Sequence, residues 1–150
     1  MTRAVIISGL MVVSLVWFPA GRAFSSEPAG SNSVQNAYEQ LLSANCFAFG
    51  GVGYAGTISP GEVAFHVVLA STNALGLFEA ILSNGTGEAK MYALCGIRRL
   101  NQKAFEDSAK VLKEADPKVK TMSGCLATEE DASVVIRRIA DGTYDSYGKR

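Results

Sequence analysis

Histidine is nearly absent from this chain, with His66 the only one in 150 residues. A zinc site needs several convergent imidazole, thiolate or carboxylate ligands. The sequence offers no tight Cys/His/Asp cluster, so no metal and no cofactor are expected. An excess of either charge is lacking too. The 14 basic residues balance the 14 acidic ones, and no basic patch marks a nucleic-acid interface. Cysteines number only three, Cys46, Cys95 and Cys125, and an odd count leaves one thiol over or pairs it between chains. No self-similarity recurs at a fixed period, which argues against a solenoid. Long hydrophobic runs are confined to one, at the start of the chain, so no membrane insertion is expected after it.

That single run is the clearest feature present. Arg3 precedes an almost wholly apolar stretch from Val5 to Ala20, and Gly21-Arg22-Ala23 then offers small residues where a signal peptidase reads. Roughly 16 apolar residues fall short of the roughly 20 a spanning helix needs. Residues 1–23 are therefore read as a signal peptide, cut after Ala23 or a few residues later, and the protein as exported, periplasmic or secreted. No cysteine stands directly after the cut, so no lipid anchor is expected. Loss of Arg3 and Arg22 leaves a net charge of −2. The remaining chain of about 127 residues is long enough to bury a core.

Residues 24–32 are small, polar and Pro/Gly-containing, the composition of a flexible linker. From Ser33, the stripe Val34, Ala37, Tyr38, Leu41 and Leu42 predicts a first helix to about Ala44. Residues 46–49 read as extended, and four glycines between positions 50 and 56 exclude a helix. Ser59-Pro60-Gly61-Glu62 restarts one, with Ser59 as N-cap, Pro60 at N1 and Glu62 completing a capping box. A further helix carries Ala74, Leu75, Phe78, Ile81 and Leu82 and stops at Gly85. The central helix spans residues 85–100 and is apolar on most sides, so other elements should surround it. Residues 102–115 form an amphipathic helix ended by Asp116-Pro117. A brief extended piece at 119–122 and a turn at Ser123-Gly124 lead to a last helix, capped by Thr128 with Asp131 at N3 and closed by Gly142. Residues 143–150 read as a polar, frayed tail.

The expected architecture is a mainly α, compact domain over residues 33–142. It has five or six helices in antiparallel hairpins and a glycine-rich loop or short β piece. Residues 88–114, helix-corner-helix, resemble one HEAT-like α-hairpin repeat. The motif Ala89-Lys90-Met91-Tyr92-Ala93-Leu94-Cys95-Gly96 resembles a family of small bacterial exported proteins over most of positions 47–139. That resemblance implies a helical exported domain and brings no assigned activity.

Three constellations bear on chemistry. Residues 51–56 match G-x-G-x-x-G. A dinucleotide site needs a helix opening within that motif and a βαβ unit, whereas the helix here starts beyond it. The alternative is a compact loop whose glycines allow positive φ, or a binding loop formed by Phe49, Gly51, Gly53 and Tyr54. His66, one turn after Glu62, is the base a hydrolase would need beside Cys46 or Ser59; a surface-edge histidine paired with Glu62 is the plainer reading. A Cys95–Cys125 disulfide would close about 30 residues and contribute roughly 3–4 kcal/mol. Three free thiols, or Cys46 paired with either partner, are the alternatives. The leading expectation is an exported non-enzymatic domain that binds a protein or envelope component. A Cys46 or Ser59 hydrolase and an immunity-type inhibitor stand behind it.

Overall fold

Helix α4 (Gly87–Leu100) is the axis of the molecule in a computed structural model that describes residues 29–147. Thr86 caps it, its Oγ1 accepting from the Ala89 N–H at 3.1 Å. Ala89, Met91, Tyr92, Ala93, Leu94, Cys95, Gly96 and Ile97 are all buried, so nearly its whole circumference is covered. The expected signal peptide, and most of the expected linker, lie outside the described residues.

Among the described residues, five further helices surround α4, and the fold is mainly α. They are α1 (Ala29–Leu42), α2 (Pro60–Leu69), α3 (Ala74–Asn84), α5 (Gln102–Ala115) and α6 (Ala132–Ala140). α1 already runs through Gly30 to Asn32, where the composition predicted linker. α3 packs on α4 most extensively. Their close approach depends on Gly96, where a Cβ would lie 2.3 Å from Phe78 Cε2. Gly85 does end α3, but at φ −81°, outside the left-handed region. Glycine is needed there because a Cβ would lie 2.7 Å from the Ile81 carbonyl oxygen and 2.8 Å from Ala89 Cβ.

Two small antiparallel pairs accompany the helices among the described residues. β1 (Gly51–Val52) pairs with β2 (Thr57–Ile58), and β3 (Lys118–Ser123) with β4 (Leu126–Asp131). Residues 46–53 run alongside β3 and tie the two pairs together. The Phe47 N–H donates to the Lys120 carbonyl at 2.8 Å, and the Met122 N–H donates to the Phe47 carbonyl at 3.0 Å. Phe47 is thereby placed in the core, 1% exposed.

β4 replaces the N-terminal part of the last predicted helix. Thr128 is no cap: it sits opposite Thr121, with their hydroxyls 3.0 Å apart. α6 starts only at Ala132, and Asp131 gives it no side-chain cap. Asp116 does so from a distance, its Oδ1 accepting from the Ser133 N–H at 2.8 Å.

The expected disulfide is also corrected, since all three cysteines are free. Gly124-Cys125 is the two-residue turn of the β3–β4 hairpin, with Gly124 at φ +55°, and Cys125 is exposed at its tip. Cys95 is buried on α4. Burial pushes its thiol far above the ordinary range. Nor is the described part of the tail frayed. Arg98 Nη1 holds both Asp145 carboxylate oxygens at 2.8 and 2.6 Å, and Arg99 Nη2 donates to the Tyr144 carbonyl at 2.6 Å.

Candidate functional site

The glycine hairpin is built by positive φ. Gly50 stands at +83°, Gly53 at +70° and Gly56 at +60°, a backbone region closed to most side chains. Its amides are largely spent inside the protein. The Gly53 N–H donates to the Gly124 carbonyl at 2.9 Å, and that of Gly56 to the Gly53 carbonyl at 3.1 Å. The Gly50 N–H donates to Glu62 Oε2 at 2.6 Å. A phosphate cradle needs such N–H groups free and a helix opening within the loop, and α2 begins only at Pro60. The loop is a rigid hairpin that carries Tyr54, fully exposed, at its tip.

Ser59 caps α2 as its position predicts, its Oγ accepting from the Glu62 N–H at 3.0 Å. Only half of the capping box forms. The Glu62 side chain turns to Gly50 instead and is buried, 4% exposed. Glu62 Oε1 lies 3.7 Å from His66 Nε2. That nitrogen is shielded from solvent and has no hydrogen-bond partner.

Glu62 and His66 form the polar side of a cavity of about 550 Å³ between the hairpin, α2 and the C-terminal turn. Gly50, Gly51, Gly56, Ile58, Ser146 and Tyr147 complete its wall. The Tyr147 ring lies against Gly50, where a Cβ would be 2.7 Å from Tyr147 Cε1. Behind it the rings of Tyr147, Phe49, Phe65 and Tyr92 form a continuous cluster with centroids 5.2–5.8 Å apart. Arg99 stacks its guanidinium 5.2 Å from the Phe65 ring centroid.

Two other cavities flank this one. The first, about 400 Å³, is lined by Phe47, Phe49, Tyr144 and Tyr147 and by the paired Glu130 and Arg138. The second, about 320 Å³, contains Cys46 and Ser59. Cys46 and Ser59 line one cavity, while His66 lines another. The Ser59 hydroxyl is committed to the Ala48 carbonyl, at 2.9 Å, and to the helix cap. Burial raises the Cys46 thiol above its ordinary value, more than Lys120 lowers it.

Of the four residues expected to bind a ligand, Gly51 lines the largest of these cavities. Phe49 is buried in the aromatic cluster, 7% exposed, rather than displayed on a loop. Gly53 and Tyr54 stand at the hairpin tip, outside the three cavity walls. Gly50, Ser146 and Tyr147 were missed. Two tyrosines three residues apart in an otherwise polar tail were the available signal for the C-terminal turn.

Among the described residues, no group of three or more His, Cys, Asp or Glu side chains is placed to hold a metal, and no helix is long and apolar enough to cross a membrane. Compared with known protein families, curated proteins and solved structures, the chain matches none.

Proposed function

We propose that this chain is an exported, non-enzymatic helical domain that binds a protein or envelope component through its glycine hairpin. The observation that carries this reading is Tyr54, wholly exposed on a backbone fixed by three positive-φ glycines. A rigid aromatic loses little entropy on binding and is a common anchor of interfaces. Ile58 and Val63, which follow it in the chain, are each more than half exposed. Export rests on the leader at 1–23 and on the resemblance of residues 89–96 to small bacterial exported proteins.

Immobilised wild-type chain should retain a reproducible partner from envelope extract, and the Tyr54→Ala chain should lose it. A partner retained equally by both, or no reproducible partner, counts against the hairpin as the contact. Export is tested separately. N-terminal sequencing of the protein recovered outside the cytoplasm should begin at Phe24 or a few residues later. A retained Met1 would show that no signal peptide is removed.

A further inference from the structure

We propose that the 550 Å³ cavity beneath the glycine hairpin binds a small organic ammonium ion with an apolar or aromatic body. This inference stands apart from the hairpin-tip contact, because Tyr54 is not in the cavity wall.

Glu62 carries the first part of the argument. Its carboxylate is almost completely hidden, yet only one oxygen is provided for. Oε2 takes the Gly50 N–H, while Oε1 accepts no hydrogen bond among the described residues. The nearest group able to carry positive charge is His66 Nε2 at 3.7 Å, itself without a hydrogen-bond partner. Oε1 is not shielded from solvent as His66 Nε2 is, so it is the carboxylate oxygen left open to a donor from the cavity. A donor bearing positive charge, seated in the cavity, would fill Oε1.

The surroundings favour a cation over other ligands. Among the described residues, no lysine or arginine lines the cavity. Arg98 and Arg99 are engaged with Asp145 and the Tyr144 carbonyl. An anion would face Glu62 uncompensated, and a neutral molecule would leave the charge unpaired. Tyr147 and Ile58 supply apolar wall, and an aromatic ring attracts an ammonium group through its π face. The volume lies within the roughly 300–1,000 Å³ of ordinary small-molecule sites.

Three probes of similar shape separate these possibilities: benzylammonium, benzoate and benzyl alcohol. Each is titrated into the purified chain near neutral pH while backbone amide chemical shifts are followed. Benzylammonium should bind saturably, with the largest shifts at Gly50, Gly51, His66 and Tyr147, and the other two should bind much more weakly. Glu62→Gln, which keeps an acceptor for Gly50, should weaken benzylammonium about tenfold or more. Tyr147→Ala should weaken it about two- to fivefold, and Tyr147→Phe should leave it unchanged. Benzoate or benzyl alcohol binding as tightly, shifts centred elsewhere, no saturable binding, or an unchanged affinity in Glu62→Gln would each overturn the proposal. Should Glu62→Gln fail to fold, the probe series on the wild type and the Tyr147→Ala and Tyr147→Phe pair decide it.

Discussion

Gly96 sits in the middle of α4, where alanine would be favoured by about 1 kcal/mol on helix propensity alone. Packing decides the other way. A Cβ at that position would lie 2.3–2.5 Å from three atoms of the buried Phe78 ring. Gly96→Ala should therefore destabilise the protein by about 1–3 kcal/mol, which denaturant unfolding would measure; a stabilised variant would show that α3 and α4 have room between them. Tyr92, one turn earlier, is the other decisive residue. Its hydroxyl accepts from the Ala48 N–H and lies 2.9 Å from the Ala48 carbonyl oxygen, to which it donates. Burial first of all, against the hydrogen bonds that lower it, pushes its pKa from 10.0 up to about 12. The folded state thus favours the neutral phenol. The associated stability is complete below the ordinary pKa and is lost as pH rises through the shifted one. Between those two values the protein should lose about 2–3 kcal/mol. Tyr92→Phe should remove that alkaline step and, by leaving the Ala48 N–H without an acceptor, cost about 1–3 kcal/mol at neutral pH. Phenolate absorbance and unfolding free energy, followed together against pH, check both effects.

Among the elements, the helices were legible because their causes are local. Ser59, Pro60 and the stripe Ala64, Phe65 and Val68 define α2 without reference to anything distant. β4 was not legible. Leu126 to Asp131 reads Leu-Ala-Thr-Glu-Glu-Asp, poor in strand formers and rich in acids that suit a helix start. It is a strand because β3 offers it a register and Gly124 turns the chain. The cap of α6 was hidden for the same reason. Asp116 reaches it from 17 residues away, and does so from a left-handed backbone at φ +33° that also ends α5. Asp116→Ala loses both the acceptor and a residue tolerant of that conformation, and should cost about 1–2 kcal/mol. Asp116→Asn keeps both and should stay within about 0.5 kcal/mol of the wild type by thermal or chemical unfolding. Equal losses in the two variants would mean that the carboxylate charge, not the cap, is what α6 requires.

At the scale of the whole molecule, the cavity depends on parts of the chain that no local pattern connects. The capping-box spacing drew attention to Glu62, but its side chain answers to Gly50, and the cavity wall is finished by Ser146 and Tyr147. The tail looked polar and free because Asp145 reads as solvent-facing until Arg98 is brought beneath it. Ending the chain after Gly142 should remove Tyr144 and Tyr147 from the aromatic cluster and lower stability by about 2–4 kcal/mol; an unchanged melting temperature would show that the turn is an ornament of the fold. The segment beside β3 has a consequence of a different kind. Phe47 bonds to Lys120 and Met122 across most of the domain's length. Contacts so distant in the chain close late and slow the search for the native state. The first half of the protein therefore cannot complete its core until β3 is available. Once closed, the two regions form one cooperative unit. Hydrogen exchange should find the amides of Phe47 and Met122 opening together, at the same free energy as the amides of α4.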